Sequence, residues 1–216
     1  ASWLGLYVWD MLELDTFWRS RLPSSRKGTS WLNMLKALVC YRLIDPGSEF
    51  RFHREWYVRS AIGNLLGEDY ALAQKDKAYR CLDMLLEHRD ELFGFLKGQW
   101  GKLFEAKYDV LLYDLTSTYF ESEPPPPDAV SKKRFGYSRD KRSDCVQVVV
   151  ALVLTPEGFP VAYEVYPGNT RDTATLGEFL DRIEKQYGKF RRTWLMDRGI
   201  PTEEMLEKMR ERGIDY

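Results

Sequence analysis

Two aspartates stand directly behind apolar runs in distant parts of the chain. Asp114 follows residues 110–113 (VLLY), and Asp197 follows residues 194–196 (WLM). Burying a carboxylate is costly unless a metal ion, a cation or several hydrogen-bond donors receive it. Mg²⁺ prefers hard oxygen ligands, with water and phosphate completing its shell. The pair therefore indicates a divalent-metal site, while the alternative for Asp114 alone is a cap on a turn at a strand end.

The elements that must position this pair change character near residue 107. Residues 1–106 carry apolar side chains at helical spacing and are predicted to form an all-helical N-terminal region. From Tyr108 onward the sequence predicts a strand, a long connection with four consecutive prolines, two strands joined by the turn 155–158, a helix, a strand ending at Asp197, another helix and the start of a strand at 214–216. We expect an α+β or α/β domain over residues 107–216, with a mixed sheet and flanking helices.

That order of elements is typical of the ribonuclease-H-like fold, which has three strands in a meander, a helix, and a fourth strand beside the first. Because the first and fourth strands are neighbours in that fold, Asp114 and Asp197 are expected to meet. Many α/β domains share parts of this order, so the order alone does not decide the fold.

Composition excludes several kinds of site. Cys40, Cys81 and Cys145 lie far apart without a CxxC pair, which excludes a disulfide framework and a cysteine-based zinc site and fits a reducing cytoplasm. His53 and His88 form no HExxH motif and are too few for a three-histidine metal site. The net charge of −1 gives no overall signal for nucleic acid. No apolar run approaches the roughly 20 residues of a membrane span, so we expect a cytoplasmic protein with no membrane partner.

Several motifs resemble, in the same order, those of one protein family. Residues 113–121 match YDxTxxYFE, residues 136–140 read GYSRD, residues 158–172 match GxPxxxEVxPGNTxD, and residues 196–199 read MDRG. A weaker likeness lies in the helical region, at Asp76, Tyr79, Arg80, Leu82 and Asp83. On these residues the chain resembles the DDE transposases of bacterial insertion sequences.

The resemblance implies a reaction and a set of ligands. Asp114 and Asp197 would be the first two acids of the catalytic triad and ligands of two Mg²⁺ (or Mn²⁺) ions flanking a phosphodiester. The third acid, a glutamate on a later helix, is expected beyond Tyr216, so the chain is expected to be a fragment that is inactive alone. The implied reaction is hydrolytic nicking at the ends of the element, followed by strand transfer. The implied partners are the terminal inverted repeats, target DNA and a second copy in a homodimeric synaptic complex.

A basic run supplies the local charge that the whole chain lacks. Residues 131–142 (SKKRFGYSRDKR) contain a single acid and two interleaved aromatics. Such a run is in general a solvated loop, but beside a phosphodiester site we interpret it as a contact to the DNA backbone. The predicted DNA-binding residues are Lys132, Lys133, Arg134, Arg139, Lys141 and Arg142.

Two other functions remain open from sequence. One is a transposase remnant that binds DNA or dimerises but does not cut. The other is a different ribonuclease-H-like nuclease, which would share the metal site but lack the YDxTxxYFE and PGNT motifs.

Overall fold

Two units make up the protein, whose structure is a computed structural model. It describes residues 1–23, 28–126, 129–138, 141–171, 175–188 and 191–216. The units are Ala1–Gln99 and Trp100–Tyr216. The division falls inside a helix that ends at Phe104. The domain boundary between residues 106 and 107, where the residue spacing changes, therefore stays a prediction.

Helices build the first unit. They are α1 Ser2–Met11, α2 Leu14–Trp18, α3 Trp31–Ile44, α4 Glu49–Arg51, a π-helical turn Phe52–Trp56, α5 Tyr57–Arg59, α6 Ile62–Leu66, α7 Lys75–Leu86 and α8 Arg89–Phe104. The described residues up to Gln99 contain no strand. This confirms the prediction of an all-helical N-terminal region.

Aromatic rings form the centre of this unit's core. Tyr41 on α3 lies 5.4 Å from Phe52 and 5.2 Å from Trp56, measured between ring centroids. The Ser30 hydroxyl accepts a hydrogen bond from the Asn33 amide, 3.3 Å away, and so caps α3 as its sequence predicts.

A four-stranded mixed sheet organises the second unit. The strands are β1 Val110–Phe120, β2 Val146–Leu154, β3 Pro160–Pro167 and β4 Thr193–Met196, in the order β3-β2-β1-β4. β1 pairs with β2, and β2 with β3, in antiparallel fashion, whereas β1 and β4 are parallel. The predicted ribonuclease-H-like arrangement, a meander whose first strand neighbours the fourth, is confirmed.

An isolated parallel bridge at Asp215 lies beside β4. The Trp194 amide donates to the Asp215 carbonyl at 2.9 Å, and the Asp215 amide donates to the Arg192 carbonyl at 3.2 Å. Asp215 thereby pairs with Thr193 in parallel. Of the strand predicted to start at residues 214–216, the structure shows this single bridge.

Alternation along β1 separates a covered face from an open one. Leu111, Tyr113 and Leu115 are buried in a core that includes residues of α9 Leu176–Tyr187 and α10 Glu203–Glu211. The residues between them follow the opposite face, hereafter the open face, because successive side chains of a strand point to opposite sides. Asp114 lies on the open face.

The last turn of α8 packs against the β2–β3 turn. Phe159 stacks with Trp100 and Phe104, with ring centroids 5.2 and 5.3 Å apart. Trp100 and Phe104 are one helical turn apart, so one ring receives both. Among the helices of the described residues, none is both long and apolar enough to cross a membrane.

Candidate active site

Asp114 and Asp197 each follow the last residue pair of two parallel strands. The parallel register of β1 and β4 pairs Tyr113 with Met196. Asp114 and Asp197 are the next residues on the two chains. The structure therefore brings together the two aspartates that the sequence singles out.

The surroundings of Asp114 differ from the prediction in two respects. Asp114 was expected to be buried at the end of a strand, but β1 continues to Phe120 and the side chain is exposed. The reason is the alternation of β1, which buries Tyr113 and Leu115 and turns Asp114 to the open face. The argument from the cost of burial was therefore wrong, and the carboxylate is accessible to a phosphodiester in solution.

A tight turn fixes Asp197 where β4 ends. The Gly199 amide donates to Asp197 Oδ1 at 3.3 Å, and the Ile200 amide donates to the Asp197 carbonyl oxygen at 3.0 Å. Ile200 is buried and anchors the turn in the core beneath the sheet. The backbone that carries the Asp197 carboxylate is therefore fixed on both sides, while the carboxylate itself stays exposed.

The two carboxylates have the chemistry of a divalent-cation site. Both are exposed aspartates, which are compact, hard oxygen donors. Neither forms a salt bridge with any described residue, so no cation among the described residues occupies their place. The described residues contain no cluster of three or more histidine, cysteine, aspartate or glutamate side chains that could hold a metal ion. The donor set therefore fits one or two carboxylate ligands for Mg²⁺ or Mn²⁺, which leaves water or phosphate to complete the shell.

Gln147 ties together two loops that sequence motifs mark, and the sequence analysis did not single it out. Its side-chain amide Nε2 donates to the Tyr137 carbonyl at 2.8 Å and to the Gly168 carbonyl at 2.9 Å. Gln147 is 1% exposed. The available signal was its type, because it is the one polar residue in the apolar run of residues 146–154 (VQVVVALVL), and a buried amide needs hydrogen-bond partners.

Two glycines allow those loops to approach so closely. A Cβ on Gly136 would lie 2.0 Å from the Gly168 carbonyl oxygen, and a Cβ on Gly168 would lie 2.1 Å from the Gln147 carbonyl oxygen. Each contact is to backbone, which cannot swing aside as a long side chain does. We call the contacts among Gly136, Gln147 and Gly168 the Gln147 junction. It joins the GYSRD motif to the PGNT motif through the end of β2.

Residues of the basic run contact β1 and β3, and each side chain has different partners. Lys132 Nζ donates to the Val165 carbonyl at 2.6 Å and lies 3.6 Å from Glu164. Lys133 Nζ sits 4.1 Å from the centroid of the Phe120 ring. Lys141 is exposed. Arg139 lies outside the described residues.

Arg142 is held by two acids that the sequence places outside the run. It lies 2.7 Å from Glu121 at the end of β1 and 3.0 Å from Asp144. Hydrogen bonds to Asp144 and then to Glu121 raise the pKa of Arg142, and the bond to Arg142 lowers the pKa of Asp144 to about 2. The run therefore has less free positive charge than its sequence indicates. Its contact with DNA stays a prediction.

Comparison with protein families gives a match over the second unit. The family described as "Transposase DDE domain" matches residues 105–216, which is more than half of the chain. In a comparison with curated proteins, no significant match is found.

Solved structures give looser similarities. The chain is similar to the Mos1 transposase paired-end complex with left transposon end (11% identity, TM-score 0.35), covering 90% of this chain and 60% of that one. It is also similar to a pre-cleavage Mos1 transpososome (9% identity, TM-score 0.33), covering 90% of this chain and 61% of that one. The chain thus spans about 60% of the length of these structures, and at such TM-scores they carry no argument about it. The family match alone covers both aspartates, and by it the chain belongs to the Transposase DDE domain family.

Proposed function

We propose that the protein is a DNA transposase of a bacterial insertion sequence, which cuts DNA at the ends of the element and transfers the cut strand to a target. The observation that carries this proposal is that Asp114 and Asp197 directly follow Tyr113 and Met196, the last residue pair of two parallel strands. Membership of the Transposase DDE domain family supports the same class of reaction.

The chain's own contribution to that reaction is to position the carboxylates that hold the metal. Asp114 and Asp197 would hold Mg²⁺ or Mn²⁺, in a two-metal site completed by a third carboxylate that the described residues do not supply. The bound metal supplies activation of a water or 3′-hydroxyl and stabilisation of the leaving oxygen. The rigid β1–β4 pairing fixes the distance between the carboxylates, and their exposure leaves a path for the scissile phosphate.

The partners follow from the reaction. They are the terminal inverted repeats, target DNA and a second copy of the protein in a synaptic complex, all in the cytoplasm where the bacterial chromosome lies. We assign residues 107–216 to the catalytic domain and residues 1–106 to a helical region for DNA binding or dimerisation. The basic run would contact the phosphate backbone, with Lys133 and Lys141 carrying more of the contact than Arg142, whose charge two acids already balance.

One observation favours a second function, DNA binding without cleavage. The described residues present two site carboxylates but no group of three. A chain with this donor set would bind DNA ends or dimerise, yet hold a divalent ion weakly. The two functions differ in whether DNA is cut.

Metal-dependent nicking of DNA tests the proposal. The full-length protein is incubated with supercoiled plasmid carrying the element's ends, in Mg²⁺ or Mn²⁺, and strand breaks are counted. Asp114→Asn and Asp197→Asn are expected to abolish nicking and keep DNA binding, because an amide keeps the shape but loses the charge that holds a divalent ion. Asp109→Asn is the matched control, since Asp109 is exposed just before β1. Nicking by the double Asn variant would refute the assignment. Absence of nicking in the unaltered protein would favour the binding function.

A further inference from the structure

A pocket of about 400 Å³ opens beside the Gln147 junction. It lies between residues of β1 and the loop that follows β3. Its lining residues include Leu115, Ser117, Tyr137, Asn169 and Arg171. A volume of this size is within the range of pockets that hold small ligands. We call it the Asn169 pocket.

The pocket is distinct from the carboxylate pair. Of the β1 residues that line the pocket, Leu115 and Ser117 follow the covered face, whereas Thr116 follows the open face with Asp114; neither Asp114 nor Asp197 lines it. β4 pairs with β1 only as far as Tyr113. Among the described residues, the β4-side edge of β1 beyond Tyr113 therefore has no strand partner, and a flexible chain can pass around it from one face to the other.

The lining of the pocket has the chemistry of a nucleotide site. Leu115 and Val149 give an apolar floor, and Tyr137, a residue that is 87% exposed, supplies an aromatic ring. Asn169 offers an amide donor and acceptor, the pair that recognises a base edge. Arg171 brings a cation at the rim, and no acidic side chain is among the described lining residues. An aromatic ring, an amide and a cation around an apolar floor suit a flat base with an attached phosphate.

Gln147 holds two walls of the pocket without lining it. It gives both its donated hydrogen bonds to carbonyls of residues that line the pocket, Tyr137 and Gly168. These bonds fix the backbone of both residues at the pocket.

We propose that the Asn169 pocket binds one unpaired nucleotide of the DNA strand whose phosphate is held at Asp114 and Asp197. The proposal rests on the proposed function for the identity of the strand. Thr116, which lines the pocket, and Asp114 follow the same face of β1 two residues apart. The pocket would therefore hold the strand close to the scissile phosphate.

A single-stranded tetranucleotide and dAMP are the probes that test this site directly. Each is titrated into the isotopically labelled chain while backbone amide NMR signals are followed. The Ser117, Asn169 and Thr170 amides are expected to shift with either probe. Tyr137→Ala is expected to weaken tetranucleotide binding about tenfold, the loss of one base–aromatic stack, whereas Tyr137→Phe keeps the affinity. Arg171→Ala is expected to weaken dAMP binding more than deoxyadenosine binding, because only the nucleotide carries a phosphate.

Matched controls and contrary outcomes are available. Arg191→Ala and Tyr216→Ala change exposed residues of the second unit that do not line the pocket and are expected to leave both affinities unchanged. The proposal is overturned if the pocket amides do not move, or if inorganic phosphate alone reproduces their full shifts, since that result would indicate a simple anion site. Neither outcome depends on the nicking assay with the Asn variants, which tests the proposed function. The failure of this proposal and that of the proposed function are therefore distinguishable.

Discussion

Replacing Gly168 with alanine tests how tightly the two motif loops are joined. The new Cβ would lie 2.1 Å from the Gln147 carbonyl oxygen and 2.5 Å from the Arg134 carbonyl oxygen. Both atoms belong to backbone that is itself paired, because the Arg134 and Gln147 amides donate to each other's carbonyls at 3.0 and 2.9 Å. The loop must therefore move away from β2.

The size of the effect follows from the bonds that this movement breaks. Gly168 donates to the Lys132 carbonyl at 3.0 Å and accepts from Gln147 Nε2 at 2.9 Å. Each bond contributes about 1 kcal/mol net, and a buried amide left without its partner costs about 1 kcal/mol or more. We expect Gly168→Ala to lower the free energy of unfolding by about 3 kcal/mol. For a chain of this size that corresponds to a fall in Tm of about 6–12 °C.

Urea denaturation, followed by circular dichroism, measures this change. Gly199→Ala is the matched control, because no heavy atom lies within 4 Å of its Cβ position and its φ is not positive; we expect a change within about 0.5 kcal/mol. Hydrogen exchange at the Arg134 and Gln147 amides locates the effect, and both are expected to exchange faster in Gly168→Ala. Equal stability of the two variants, with unchanged exchange at those amides, would refute the close contact at the Gln147 junction.

Three further predictions concern other parts of the second unit. Arg142→Ala is expected to raise the pKa of Asp144 from about 2 towards the ordinary ~3.9. Because the folded pKa is depressed, the Arg142–Asp144 contribution to stability is present above pH ~3.9 and is lost as the pH falls towards 2. A carboxyl NMR titration checks both, and an unchanged midpoint would contradict the ion pair. Phe159→Ala is expected to cost about 2–3 kcal/mol in urea denaturation, through loss of two ring stacks and partial burial, with exposed Leu86→Ala as a near-neutral control. Neutral substitution of the basic run is expected to weaken binding to non-specific DNA and to flatten its salt dependence, with Lys133 and Lys141 contributing more than Arg142; an unchanged salt slope would return the run to an ordinary solvated loop.

The order of the strands could be predicted from sequence because the spacing of apolar residues and the types of turn residues depend only on nearby positions. The Thr155–Gly158 turn has Pro156 and Gly158 where a tight turn needs them, and Gly158 adopts a positive φ of 92°. The apolar positions of α9 recur at helical spacing, and those residues are the buried ones. Such signals lie within a few residues of each other, so the meander and its helix could be predicted.

The surroundings of the site were less predictable because they depend on residues far apart in sequence. Glu121 and Glu164 approach the basic run only after β1 and β3 are in place, so the count of charges in residues 131–142 overstated its free charge. Asp114 was expected to be buried because its neighbours are apolar. Residues 110–114 alone do not show which face of the sheet stays uncovered. The Gln147 junction likewise needs the pairing of three segments before its amide has partners.

Mn²⁺ binding at the two aspartates tests the central claim most directly. Mn²⁺ broadens NMR signals close to it, so the Asp114 and Asp197 amides of the labelled chain are followed through a titration. The account predicts that both amides broaden together, that either Asp114→Asn or Asp197→Asn removes the effect at both, and that Asp109→Asn leaves it unchanged. Broadening that persists at both positions in the double Asn variant, or that reaches only one of them in the unaltered chain, would contradict a shared metal site.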